Sequence, residues 1–303
     1  MSEDNKNQPE KQWRLQIERL VFGGEGLGYY GGRPVFVAGV LLNEEVLVHP
    51  VIVKRKFVKA ELIEVIRPSR LRRESKEQHF ISCSPWQIMT EENQLDYKKN
   101  LVKSVFKKIG QEILPDDLEL VASPNNWGYR NKIEFSFTTD KDNLPTLAFN
   151  KRYLYNDFIK TDGCLLAPEI LNNCAQEILK VLRENKEVKV GDLKNLTLRY
   201  SFADNKCLAI LYVKTSNFPK ISVTASHLAG WLVVYSDPRS PSAVITEELL
   251  VEGDDFLSEQ IDGQKLFYCY QDFFQINAYI IRGTSHIYTL YGNRILGLLH
   301  TQA

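Results

Sequence analysis

The hydrophobic pattern divides the chain into a strand-rich front and a mixed remainder. From Trp13 to Leu20 apolar and polar residues alternate, with Leu15 and Ile17 on one side, the period-two signature of a half-buried strand. Pro34–Val37, Glu45–Val48 and Ala60–Ile66 repeat the signal, with turn residues between them. Short strands punctuated in this way predict a small β-barrel over residues 12–68. Over Glu91–Ile109 the period changes. Leu95, Leu101, Val102, Val105, Phe106 and Ile109 fall at helical spacing, lysines fill the opposite side, and Gly110 is placed to stop the helix. A basic amphipathic helix of this kind reads most simply as a solvated surface helix.

Beyond it the pattern is mixed. Asn131–Thr138 alternates as a strand, with Ile133, Phe135 and Phe137 on one face. Leu147–Phe149 and Phe158-Ile159 read as a further strand pair, and Pro168–Leu182 as a helix with proline near its first turn. Leu196–Tyr200 and Leu208–Val213 form a hairpin-like pair around Asp204-Asn205, followed by a short strand at Leu232–Tyr235.

Two local features carry candidate chemistry. The run Gly23-Gly24-Glu25-Gly26-Leu27-Gly28 resembles a phosphate loop, but Tyr29-Tyr30-Gly31-Gly32 and another strand follow it. A dinucleotide loop requires a helix there, so a barrel turn is the better reading. Lysines and arginines cluster at Lys54-Arg55-Lys56 and across Arg67–Arg73. They fit a solvated connector and a phosphate-contacting patch equally well.

Composition narrows the class. The chain has 303 residues, 44% of them hydrophobic and 25% charged, enough for two or three compact domains. The formal net charge is zero, so nucleic-acid contact must come from local basic patches. Five scattered cysteines without a C-x-x-C pair argue against a disulfide framework and fit a reducing cytoplasm. Cys207 and Cys269 read as buried structural thiols. Residues 1–11 are polar, resemble neither a signal peptide nor a membrane span, and read as a disordered tail. In Tyr129-Arg130-Asn131-Lys132 the two cations suit phosphates and the tyrosine suits an unstacked base; a basic strand edge is the alternative.

The order of these segments, from about Leu15 to Asn277, resembles the RNA (uracil-C5) methyltransferases. Residues 12–68 resemble a TRAM domain, a small OB-like barrel, through Gly23–Gly28, Val35-Phe36-Val37 and the strand ending before Ser69-Arg70. Tyr129–Phe135 is similar to the family's Y-R-N-K strand start. Asp272-Phe273-Phe274-Gln275-Ile276-Asn277 is similar to the F-F-Q-x-N motif that opens its methyltransferase domain. The resemblance implies an α+β chain: a TRAM barrel at 12–68, a mixed α/β central domain at 69–270 whose helix 91–109 packs on the catalytic domain, and the start of a Rossmann-like methyltransferase domain at 271–303. It implies ribosomal or transfer RNA as partner, contacted by Tyr129, Arg130, Lys132, Lys54, Arg55 and Arg70. It also implies S-adenosylmethionine against Gln275 and Phe274.

The chain departs from the family in two places. Many relatives hold a four-iron, four-sulfur cluster through C-x-x-x-x-x-C-G-G-C and a later cysteine. Here Glu77 and Trp86 stand at two of those positions, leaving Cys83 and Cys164 as remnants. Since thiolates hold such clusters, no iron–sulfur cluster and no metal are expected. The family's nucleophilic cysteine and general base lie well beyond F-F-Q-x-N, and none of the five cysteines matches that position. Tyr288–Asn293 only faintly echoes the family's cofactor loop, and Asp237-Pro238-Arg239 resembles part of its D-P-P-R motif out of order. The sequence therefore predicts that the methyltransferase domain is largely absent and that the chain alone neither binds the cofactor nor methylates RNA. The alternatives are one half of a split enzyme with a separate catalytic chain, and a non-enzymatic TRAM RNA-binding protein.

Overall fold

In a computed structural model the described residues are 12–110, 113–154, 156–240, 242–261 and 263–280. The expected N-terminal tail, Tyr288–Asn293 and most of residues 271–303 lie outside them. The chain divides into two compact units. Among the described residues, the first runs to 110, continues over 113–120 and takes in 150–157; the second is Val121–Phe149 and 158–280. No helix among the described residues is long and apolar enough to cross a membrane.

The first unit begins with β1 (Trp13–Gln16), β2 (Arg19–Val21), β3 (Glu25–Tyr30), β4 (Arg33–Ala38), β5 (Glu45–Val53) and β6 (Val58–Arg67). They form one sheet in the order β1-β5-β6-β4-β3-β2, with β4 and β6 parallel and the other pairs antiparallel. Alternate residues point to one face, so Trp13, Leu15, Ile17, Val35, Val37, Val46, Val48, Val58 and Ala60 meet in a single core. The glycine run is half turn and half strand. Gly23 and Gly24 turn with positive φ, whereas Gly26 and Gly28 lie inside β3. A Cβ at Gly28 would stand 2.5 Å from the Gln16 carbonyl oxygen, so glycine permits the close strand approach. The buried Glu25 is held by Lys59 Nζ at 2.6 Å and by the Tyr153 hydroxyl, the pairing a desolvated carboxylate needs.

After β6 come α1 (Phe80–Cys83) and α2 (Glu91–Val105), the latter ending in a π-helical turn at Phe106–Gly110. Thr90 Oγ1 accepts from Asn93 N at the start of α2, an N-cap that satisfies one otherwise orphaned donor. Trp86, Ile88 and Met89 form a second core with Leu20 and Leu41, and Tyr97 and Leu101 of α2 rest on it. The expected helical face is therefore not exposed as a group. Leu95, Leu101 and Phe106 are half-buried, and Ile109 in the π turn is 80% exposed.

The second unit is built on a seven-stranded sheet. Its strands are β7 (Lys132–Thr139), β8 (Pro145–Asn150), β9 (Phe158–Lys160), β10 (Leu193–Ser201), β11 (Lys206–Val213), β12 (Leu228–Tyr235) and β13 (Glu247–Gly253), in the order β13-β12-β11-β10-β7-β8-β9. Both faces of β11 are buried. Leu208, Ile210 and Tyr212 face the hairpin β14 (Phe256–Ile261) and β15 (Gln264–Cys269) through Leu257 and Tyr268. On alternate positions the Cys207 thiol bonds that of Cys174 in α3 (Glu169–Glu184). That bond, and then burial, push the Cys207 pKa far up, which makes it an inert core thiol. Helix α3 buries Leu171, Cys174, Ala175, Ile178, Leu179 and Leu182, a stripe at helical spacing.

One cysteine assignment is corrected. Cys207 is buried, but Cys269 is exposed, because β15 is half of a two-stranded ribbon with one face outward.

Candidate nucleic-acid interface

The two units present different basic surfaces. In the first, Lys54 and Arg55 sit on the turn joining β5 to β6, closed by the bond from Lys54 N to Phe57 O, and both are exposed. Arg70 is also exposed, but it follows the far end of the ten-residue strand β6. A strand of that length spans roughly 30 Å, so these candidates do not form one patch. Within the run Arg67–Arg73, one residue fits neither of the two readings left open by its sequence. Arg72 is structural: its Nη2 reaches the Gly39 carbonyl at 2.9 Å, and its guanidinium grips the fully buried Glu44. Glu44 also accepts from the Leu41 and Ser69 amides.

In the second unit the structure joins two motifs that are far apart in sequence. Tyr129, Arg130 and Lys132, all half-buried, lie where the chain runs into β7. The Arg130 amide bonds the Leu166 carbonyl at 2.8 Å, and Arg130 forms an antiparallel bridge with Asn277. Next to it the Asn131 amide donates to Ile276 O at 3.0 Å, and Asn131 Nδ2 donates to Gln275 O at 2.9 Å. Asn277 Oδ1 accepts from the amides of Tyr279 and Ile280, so it caps the helical turn that follows. The Y-R-N-K and F-F-Q-x-N segments are thus one backbone-bonded junction.

Arg199 underlies this junction and was not a sequence candidate. It stands opposite Lys132 across the β7–β10 pair and is 6% exposed. Its Nη atoms donate to the carbonyls of Cys269 and Asp272, and its guanidinium lies 5.9 Å from the Tyr268 ring. Its Nε is buried without a partner among the described residues. Burial, and after it the Arg199 guanidinium, hold the Lys132 pKa below the ordinary lysine value. A half-buried ammonium beside a buried guanidinium is an incompletely neutralised positive locus, suited to phosphate. In the sequence, a lone arginine in a β-pattern resembles a solvent-facing residue; only the strand pairing reveals its place.

The two phenylalanines part company. Phe273 is 88% exposed. Phe274 stacks on Tyr268 at 4.3 Å between centroids and joins the core beneath it. Gln275 is half-buried, held through its backbone. Cys164, one of the two thiols expected as cluster remnants, is buried, and its amide donates to Asn172 Oδ1 at 3.0 Å. Asp237 and Arg239 pair with each other in an exposed turn.

No protein-family model matches the chain. Among curated proteins it is 30% identical to an uncharacterised RNA methyltransferase of Caldanaerobacter subterraneus subsp. tengcongensis, over 91% of this chain and 64% of that protein. It is also 30% identical to a 23S rRNA (uracil(1939)-C(5))-methyltransferase of Vibrio parahaemolyticus, over 69% of this chain and 52% of that protein. The fold matches the crystal structure of Pyrococcus abyssi tRNA (uracil-54, C5)-methyltransferase in complex with S-adenosyl-L-homocysteine. The TM-score is 0.66 at 20% identity, covering 91% of this chain and 64% of that one. The chain thus spans less than two thirds of the length of each of these proteins.

These likenesses correct the expected fold class. The expectation of a largely absent methyltransferase fold rested on counting residues after Asn277, and such a count says nothing about the fold of those before it. Nine tenths of the chain follows the fold of a tRNA methyltransferase. The alignments run along single chains, and they support neither a separately encoded catalytic partner nor the expected failure to bind cofactor or to act alone.

Proposed function

We propose, from the premise that this chain is a relative of the RNA (uracil-C5) methyltransferases, that its second unit carries the RNA-contacting site of an S-adenosylmethionine-dependent enzyme of that kind. The bridge between Arg130 and Asn277, with Asn131 bonded to Gln275 O, is the observation that supports it. It fixes the cationic segment next to the segment whose Gln275 we assign to S-adenosylmethionine, so that a bound uridine and the methyl donor share one neighbourhood.

In this reading Arg130 and Lys132 neutralise phosphates, and Tyr129 stacks on a base drawn out of its loop. Arg199 keeps the Lys132 neighbourhood electropositive from below. Phe274 fixes the backbone that carries Gln275 through its stack on Tyr268. The first unit is read as a TRAM-like, OB-related barrel that adds Lys54, Arg55 and Arg70 as peripheral phosphate contacts. S-adenosylmethionine supplies the methyl group; this chain's residues bind and orient the RNA.

Fluorescence anisotropy with a labelled, uridine-containing RNA hairpin tests the proposal. Affinity should fall linearly with the logarithm of salt, and Arg130→Ala and Lys132→Ala should each flatten the slope by about 0.7. RNA binding with a slope unchanged in both variants would overturn it.

A further inference from the structure

We propose that Glu77, His79 and Cys83 of the first unit form a binding site for a single divalent metal ion of the zinc class, a site independent of the RNA reading above. Each side chain offers one ligand atom, and these atoms lie within 4.8 Å of one another. All three residues are buried, at 8%, 5% and 7% exposure. His79 Nε2 is 3.2 Å from one Glu77 carboxylate oxygen, and Cys83 Sγ is 3.7 Å from the other.

Those spacings run to the two different oxygens of Glu77, and each is close in length to an edge of a tetrahedral zinc site. With zinc–nitrogen and zinc–oxygen bonds of about 2.0–2.1 Å and a zinc–sulfur bond of about 2.3 Å, the nitrogen–oxygen edge is about 3.3 Å and the sulfur–oxygen edge about 3.6 Å. The donor set is chemically suitable as well: a thiolate, an imidazole and a carboxylate are the three protein ligand types zinc takes. Charge also balances, because a divalent ion with one thiolate and one carboxylate leaves a neutral buried centre. Binding releases the Cys83 thiol proton to solvent, and no electron changes hands.

A second observation points to the same place. Gln87 is 9% exposed and leans on the cluster, with Nε2 2.6 Å from Glu77 Oε2 and 3.6 Å from Cys83 Sγ. Its Oε1 is buried without a partner among the described residues. A carboxamide donating to two ligand atoms is the outer-shell contact that orients metal ligands. Helix α1 of this segment has four residues and no side-chain cap, and backbone bonds from Phe80 N to Glu77 O and from Ser82 N to His79 O hold it locally. An ion tying Glu77, His79 and Cys83 together would close this segment and offset the cost of burying its polar groups.

An iron–sulfur cluster does not fit these residues. Such clusters are held by thiolates, and the Glu77–Gln87 segment offers one. Trp86, at another of the family's ligand positions, is 1% exposed in the apolar core beside Leu20 and Leu41.

The full chain, purified without a polyhistidine tag, is assayed for bound metals by mass spectrometry and then titrated with cobalt(II). About one ion per chain is expected, with a tetrahedral cobalt spectrum and a thiolate charge-transfer band that Cys83→Ser removes. His79→Gln and Glu77→Gln should each lower cobalt affinity about 10-fold or more, in variants shown to be folded by circular dichroism. Should Cys83→Ser fail to fold, X-ray absorption on the zinc-loaded wild-type chain decides instead, with one sulfur neighbour beside nitrogen or oxygen expected. Iron with acid-labile sulfide, no sulfur or more than one sulfur neighbour, a stoichiometry far below one, or a cobalt spectrum without the thiolate band each overturns the proposal.

Discussion

The basic residues of the two units differ in how they are held. Lys54, Arg55 and Arg70 stand exposed on turns of the first unit, where solvent screens them and their side chains keep their rotamer freedom. Arg130 and Lys132 are half-buried in the second, above a guanidinium that is almost wholly buried. Charges of the first kind speed and strengthen encounter with any polyanion. Charges of the second kind have been desolvated and oriented during folding, so a phosphate that meets them gains more per contact. Equal counts of lysine and arginine therefore do not make equal sites.

The strongest test of this contrast is to remove the buried cation. Arg199→Ala takes the donor from the Asp272 carbonyl and one of the two donors from the Cys269 carbonyl, and should destabilise the second unit by about 2–3 kcal/mol. Arg55→Ala should stay within about 0.5 kcal/mol of wild type, as surface changes do. Urea unfolding gives both values, and hydrogen exchange across β7 and β10 assigns the loss. If the two variants unfold alike, the distinction between the surfaces is gone.

The next largest effect is expected at Asn131. Its Nδ2 bond to Gln275 O is one of the few links between the two motifs, and Asn131→Ala should cost about 1–2 kcal/mol. RNA affinity should drop with it although every cation remains. Unchanged RNA affinity in a measurably destabilised Asn131→Ala protein would mean that the junction does not organise the contact surface.

How much of this was legible in the sequence follows from the range of each interaction. The alternation at Ile133, Phe135 and Phe137 reveals β7, because a strand buried on one face reports itself locally. The stripe of α3 is legible for the same reason. The hairpin β14–β15 is not: Phe256 and Phe267 face outward at 43% and 64% exposure, so apolar residues mark both faces and the period is lost. Strand β13 is an edge strand with four of its seven residues exposed, and Glu247, Glu248 and Glu252 disguise it. The two motifs at 129 and 273 were visible separately. Their junction depends on a side-chain bond across 144 residues, from Asn131 to Gln275 O, and on the backbone bond from Asn131 N to Ile276 O beside it, which no local pattern encodes. The Glu77, His79 and Cys83 cluster escaped for another reason: counting thiolates alone passes over a mixed donor set, although Glu-x-His-x-x-x-Cys stands in the sequence.

A smaller effect sets individual cations against each other. Arg130→Ala and Lys132→Ala should each weaken hairpin binding about 5–10-fold, against about 2-fold for Lys54→Ala or Arg55→Ala. Equal losses from all four would show that the RNA meets only a diffuse basic surface.

The smallest expected effect is the most specific, because only a desolvated amine shows it. Burial, and secondarily Arg199, hold the Lys132 pKa below the ordinary lysine value. The folded chain therefore binds fewer protons than the unfolded chain in the window between the two pKa values, and through that window stability rises with pH. RNA binding has the opposite sign. A phosphate favours the protonated amine, so binding takes up a proton and affinity falls as pH rises, starting below the usual lysine pKa of about 10.4. Measured from about pH 8 to about pH 10, wild-type affinity should decline and Lys132→Arg should remove most of the decline, because a guanidinium keeps its charge. Lys54→Arg should leave the decline in place. A Lys132→Arg profile that tracks wild type would mean that the desolvated amine takes no part in holding RNA, and the difference between the two basic surfaces would then be one of stability alone.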